Sequence, residues 1–155
     1  KRHGYRPPAY WEDIAAAREA VSLPVIANGE IWNPQDALRC RQVSHCEDLM
    51  LGRGVLCRPD LPRLIAAMDR GESVLSLHWP DIAPLLLRFF ALQREHYDAG
   101  HAGNPLKQWL VYLRSYFPQA SLLFERVKRL RDPDEIATLL TEHAAQAAPA
   151  QQSAA

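Results

Sequence analysis

Apolar and polar positions change rhythm several times along the chain. Residues 11–23, WEDIAAAREAVSL, place Ile14, Ala17 and Val21 at helical spacing with Trp11 one turn earlier, which predicts an amphipathic helix. Pro24 interrupts that period, and Val25-Ile26-Ala27 follow as a short apolar run of the kind that fills a parallel sheet. The helical rhythm returns from Pro34 to Gln42, with Asn33 as N-cap and Pro34 at the first helical position. Asp48-Leu49-Met50-Leu51 predicts a second short strand closed by Gly52-Arg53-Gly54, and Pro59-Asp60-Leu61-Pro62 opens a helix over Arg63 to Arg70. Helix, strand, helix, strand, helix with loops of a few residues is the order of βα units, so the strands are expected to be parallel.

The pattern changes at Gly71, and from Asp81 onward nothing alternates with period 2. Residues 81–98 predict one long helix with Pro84 tolerated in its first turn, ended by a Gly-rich joint from Ala99 to Gly103. Residues 105–117, 119–131 and 133–145 predict three more helices, each with a proline in or just before its first turn. The expected fold class is therefore α/β followed by all-α: one region over 1–72, a bundle of about four helices over 80–145, and a low-complexity, disordered tail over 146–155.

Composition narrows the picture. A chain of 155 residues, 48% apolar and 23% charged, has the make-up of a soluble globular protein of one domain or parts of two. Zero net charge means no global field toward nucleic acid or membrane, which leaves a local patch to consider. No apolar run approaches the roughly 18 residues of a membrane span, and KRHGYRPPAYW carries neither an initiator Met nor the apolar centre of a signal peptide, so it reads as a chain joined partway through. Cys40, Cys46 and Cys57 are odd in number and lack metal-site spacing, which points to reduced free thiols and a cytoplasmic protein. His45, His78, His96, His101 and His143 show no metal-ligand spacing either. Glu12 and Asp13 suit the positive end of the first helix, and Glu95, His96 and Asp98 read as an exposed helix end rather than as an acid–base pair.

Two segments stand out. ANGE (27–30) and LGRG (51–54) close consecutive strands at their C-terminal ends, the side where α/β folds bind ligands. Gly29, Gly52 and Gly54 place no Cβ over their N–H groups, and each turn feeds a helix whose positive end faces the same space. Arg53 can neutralise a phosphate or cover a ring. The same glycines would serve tight strand-to-helix turns with no ligand at all, and the pattern leaves both readings open. In the helical half, residues 104–131 carry six basic side chains (Lys107, Arg114, Arg126, Lys128, Arg129, Arg131) against the single acid Glu125, an excess suited to phosphate contacts. Lys107, Tyr112 and Arg114 share roughly one side of a helix. Trp109 could stack on a base, but Leu106, Leu110 and Leu113 on the same helix favour the core, and Arg126 to Arg131 could be only a solvated face.

Five pieces taken together resemble the C-type branch of the tRNA-dihydrouridine synthases: Gly4, Tyr5 and Arg6 with Trp11, then PVIANGEIW (24–32), LMLGRG (49–54), KQWLVYLR (107–114) and LFERVKRLRDPDEIA (123–137). The resemblance covers nearly the whole chain apart from the tail. It implies that residues 1–72 are the C-terminal βα units of an FMN-binding TIM-type (β/α)8 barrel, and that 80–145 form a helical tRNA-recognition domain. It implies an oxidoreductase that uses NADPH-reduced FMN to convert uridine to 5,6-dihydrouridine in the tRNA D-loop, at position 16, as a monomer with tRNA as partner and no membrane. Carried onto this sequence, Asn28, Gly29, Glu30, Gly52 and Arg53 would hold the phosphate and ribityl end of FMN. Lys107 and Lys128 match positions that contact tRNA, and Tyr112 and Arg114 join them as candidate tRNA-binding residues. None of Cys40, Cys46 or Cys57 stands in the motif of the family's catalytic cysteine, and His3 is not in the context of its active-site histidine, so those groups and the flavin-contacting lysine are expected upstream of residue 1. Gly103-Asn104-Pro105 departs from the Arg-containing pattern before KQW, which leaves the modified uridine open. Two βα units of eight cannot close a barrel, so the chain alone is expected to be inactive. A non-catalytic RNA-binding module on a partial phosphate-binding barrel, or another FMN or sugar-phosphate barrel enzyme, are the alternatives.

Overall fold

A computed structural model describes residues 7–148. The chain divides between Ser76 and Leu77 into two compact units.

The first unit contains α1 (Trp11–Glu19), β1 (Ala27–Asn28), α2 (Pro34–Ser44), β2 (Leu49–Met50), α3 (Arg53–Cys57) and α4 (Leu61–Asp69). The two strands are parallel, as the βα order predicts, with Ala27 opposite Leu49 and Asn28 opposite Met50, but each is only two residues long. Asn33 caps α2 by accepting the Asp36 N–H at 2.8 Å, and the Asp36 carboxylate accepts the Trp32 N–H at 3.0 Å, so both ends of this helix start are satisfied locally. Ala27, Ile31, Ala37, Cys40, Cys46, Leu61 and Ile65 form the core of the unit, with Trp11, Ile14 and Val25 packed partly buried against it.

Several sequence expectations fail here: Ile26, in the run expected to fill a sheet, is exposed, and α4 begins at Leu61, two residues before the expected Arg63. Helix α1 ends at Glu19, so Val21 leaves the expected stripe and is exposed, and no residue of α1 is fully buried. Pro24 drives Leu23 out of the helical region, which leaves too few residues for another turn. Gly52-Arg53-Gly54, expected as a closing loop, instead launches the short helix α3, with Gly52 at its N-cap.

The second unit contains α5 (Trp79–His96), α6 (Gly103–Leu113), α7 (Pro118–Val127) and α8 (Pro133–Ala147). Helix α5 starts two residues before the expected Asp81, because the Asp81 carboxylate accepts the His78 N–H at 2.8 Å and fixes the start there. Pro84 consequently lies inside the helix and not in its first turn, where it withholds a donor from the Pro80 carbonyl. Helix α6 stops at Leu113 and not at Phe117, since Pro118 holds Phe117 extended as the N-cap of α7. Helix α7 stops at Val127, four residues short of the expected Arg131. Asp132 caps α8 by accepting the N–H groups of Asp134 and Glu135, and that helix runs to Ala147, beyond the expected 145. Ile82, Leu86, Phe90, Leu106, Leu110, Leu123, Val127, Ile136 and Leu140 supply much of a single core shared by these helices. Among the described residues no helix is long and apolar enough to cross a membrane.

Candidate functional site

The chain leaves β1 through a turn that few residues tolerate. Gly29 has φ of 120° and Glu30 has φ of 51°, both in the left-handed half of backbone space. The turn is fastened on two sides: the Trp11 indole N–H donates to the Gly29 carbonyl at 2.9 Å, and the Asn28 side-chain amide donates to the Met50 carbonyl at 2.6 Å. Met50 belongs to β2, so this second bond joins the two strand ends directly. A methyl group added at Gly29 would stand 2.9 Å from the Ala9 side chain, which adds crowding to the backbone requirement.

The second turn is built against the first. A Cβ added at Gly54 would lie 2.1 Å from the carbonyl oxygen of Ile31, a fixed backbone atom. Gly54 is therefore a packing glycine, buried where α3 rests on the turn after β1. Gly52 is the opposite case, since an added Cβ there meets nothing within 4 Å. Asn28, Gly29, Glu30, Gly52 and Arg53 all line one concavity of about 410 Å³, completed by Ile31, Trp32, Met50 and Gly54. The structure thus brings together all five residues expected at the cofactor site.

Charge in this concavity is organised around Glu30. Its carboxylate accepts from the Arg53 guanidinium at 2.5 Å and from the Trp32 indole N–H at 3.1 Å. The same guanidinium lies 5.4 Å from the centre of the Trp32 ring. Arg53 thus covers a ring of its own protein and neutralises a protein carboxylate, while the open backbone at Gly52 faces the space between the turns. Trp32 and Met50 were not singled out from sequence as site residues. The only signal for Trp32 was its place in the PVIANGEIW segment.

Cys40, Cys46 and Cys57 are free and buried, and burial pushes the Cys40 thiol above its ordinary pKa. Glu95, His96 and Asp98 are exposed at and just beyond the end of α5. His3, Gly4, Tyr5 and Arg6 lie outside the described residues, as do 149–155 of the expected tail.

In the second unit the four candidate RNA contacts are spread over both ends of α6 and the end of α7. Lys107, in the second turn of α6, donates to the Leu130 carbonyl at 2.6 Å and so meets the turn that follows α7. Burial, and then the charge of Arg131, push its ammonium below the ordinary lysine pKa. Lys128 caps the C-terminus of α7 and pairs with Glu125. Arg114 is seven residues from Lys107, about 10 Å along α6, and its guanidinium lies 5.9 Å from the Phe124 ring centre. Tyr112 is half-buried near the Arg114 end of α6. Lys107 and the 128–131 turn therefore gather at one end of α6, and Arg114 belongs to the other. The run from Arg126 to Arg131 is a helix end and a turn, so a simple solvated helix face does not describe it. Trp109 sits edge-on to Phe89 with ring centres 5.0 Å apart and packs against the core, as its leucine neighbours suggested.

The family model described as "Dihydrouridine synthase (Dus)" matches residues 1–149. The chain belongs to the dihydrouridine synthase family. Among curated dihydrouridine synthases, it is 44% identical over 140 residues to a protein of Pseudomonas syringae pv. tomato named tRNA-dihydrouridine(16) synthase, covering 90% of this chain and 44% of that one. Proteins of the same name from Ralstonia nicotianae and Neisseria meningitidis serogroup B are 42% and 36% identical over 143 residues, each match covering 92% of this chain and 43% of the relative. The chain thus spans less than half the length of these dihydrouridine synthases.

Proposed function

We propose that this chain carries the phosphate-binding edge and the RNA-binding part of a tRNA-dihydrouridine(16) synthase. In this reading residues 1–72 supply C-terminal βα units of a TIM-type barrel, and residues 80–145 form the tRNA-recognition domain. The observation that supports it most is the convergence of Asn28, Gly29, Glu30, Gly52 and Arg53 on one concavity at the C-terminal ends of two parallel strands. That is the side where barrels of this kind bind phosphate groups.

The residues present suit the phosphate end of FMN. Gly52 leaves room for an anion to approach the backbone beside the start of α3. Glu30 would otherwise repel a phosphate, but its charge is already matched by Arg53. When bound and reduced by NADPH, FMN would supply the hydride that saturates the uracil ring. The residues of this chain would hold and orient the cofactor, with the tRNA D-loop engaged by the surface that carries Lys107, Tyr112, Arg114 and Lys128. No proton-donating role falls to Cys40, Cys46 or Cys57, which are buried. The complete enzyme would be a cytoplasmic monomer.

The test is a measurement of dihydrouridine, position by position, in tRNA from a strain lacking the gene and from the same strain with the complete gene restored. Loss and recovery at position 16 is the expected result. Unchanged dihydrouridine in the deletion strain, or a loss confined to another position, would overturn the assignment.

A further inference from the structure

Lys107 occupies an unusual place for a residue whose role is to meet a phosphate. Its ammonium is half-buried and bonded at 2.6 Å to a neutral acceptor, the Leu130 carbonyl, 23 residues away. Among the described residues it forms no ion pair with a carboxylate, and its charged neighbour is Arg131, which repels it. A free lysine would swing its head into water, so the fold itself holds this one inward. The lysine chain passes over Gly103, one turn earlier: a Cβ there would stand in ordinary contact with it, 3.6 Å from Cε and 3.8 Å from Nζ, and would crowd Ile136 Cδ1 at 2.8 Å.

The segment it grips needs a partner. Helix α7 ends at Val127, and the chain turns through Lys128, Arg129, Leu130 and Arg131 before Asp132 caps α8. Within this turn the Leu130 N–H donates back to Val127 at 3.0 Å, its side chain packs on the core, and its carbonyl accepts from Lys107. Three of the four turn residues are cations, which repel one another and favour an open chain.

We infer that Lys107 is a positioning residue, which sets the conformation of the 128–131 turn and thereby places Lys128, Arg129 and Arg131 for RNA. The inference rests on the RNA-binding reading for its consequence, but its structural half stands on the free protein. Removing the ammonium leaves the Leu130 carbonyl without its charge-assisted bond, and the turn loses its link to α6.

The experiment compares the complete wild-type protein with Lys107→Met, which keeps the length of the side chain and removes its donors. Amide hydrogen exchange without RNA is expected to quicken about tenfold at Leu130 and its turn neighbours while the cores of α5, α6 and α8 stay protected. Unchanged exchange at the turn overturns the inference, and so does a general rise across all four helices. Binding of a D-loop-containing tRNA is then measured for Lys107→Met, for Lys128→Ala/Arg129→Ala/Arg131→Ala, and for the four changes combined. A positioning role makes Lys107→Met nearly silent once the turn cations are gone, whereas additive losses identify an independent phosphate contact and overturn it. Absence of tRNA binding by the wild-type protein defeats the RNA-binding reading instead, and the exchange result still decides the turn.

Discussion

Gly52 and Gly54 stand two residues apart in one motif and do different jobs. A methyl group at Gly54 collides with a backbone oxygen that cannot move aside, so Gly54→Ala is expected to destabilise the first unit by about 1–3 kcal/mol, read as a lower denaturant midpoint. At Gly52 the added group enters open space beside the concavity. Gly52→Val in the complete protein is therefore expected to keep the wild-type melting profile yet purify with little bound flavin, checked by visible absorbance after gel filtration. A variant that melts early would show instead that Gly52 supports packing. The sequence could not separate these two glycines, because what distinguishes them is the Ile31 carbonyl brought against one of them by the fold.

Among the elements, helix starts were the most legible part of the sequence. Asn33, Pro34, Pro118 and Pro133 stand where local chemistry places them, because caps and first-turn prolines act within four residues, while α4, α5 and α6 begin two residues before the expected positions. Helix ends were less legible. Helices α1, α6 and α7 all stop early, in the first two cases because a proline just beyond restricts the residue before it. The strands were placed within a residue or two, but their length depends on pairing partners that no local pattern encodes.

One contact between elements predicts a response to pH. The Trp79 indole N–H at the start of α5 donates to His143 Nε2 on α8 at 2.9 Å, with the two rings edge to face. This bond requires neutral imidazole. Burial, and then the charge of Arg126, push the His143 pKa below its ordinary value. The unfolded chain takes up this proton first as pH falls, so the stability from this site is complete above the ordinary histidine value of about 6.5 and declines below it, levelling off beneath the folded pKa. Wild type is expected to lose more melting temperature between pH 7 and 5 than His143→Gln, in which the amide oxygen can still accept from Trp79. Equal losses would remove His143 from the explanation.

At the scale of the whole molecule, the chain's two units correspond to two tasks in the proposed enzyme. The division after Ser76 could be anticipated because strand-like rhythm ceases near Gly71. The site was legible as a set of residues: two glycine-bearing turns after parallel strands converge in any βα arrangement. Its electrostatics were not, since the Glu30–Arg53 pair depends on the positive φ of Glu30 and the start of α3 at Arg53. The basic face was the least legible, because six cations close in sequence are split by the ends of α6 and α7. The chain expressed without the remainder of the family's length is expected to yield no dihydrouridine in an assay containing FMN, NADPH and unmodified tRNA; measurable product would refute that expectation.

Trp32 gives the molecule an optical readout of its own. Its indole lines the concavity, is bonded to Glu30 and lies under Arg53, whereas Trp79 and Trp109 are packed against the helical core and Trp11 holds the Gly29 carbonyl without lining the concavity. An anion that draws Arg53 away from Glu30 would change the surroundings of this chromophore first. Titration with FMN can then be followed without any label, and Trp32→Phe identifies how much of the emission change originates at the pocket.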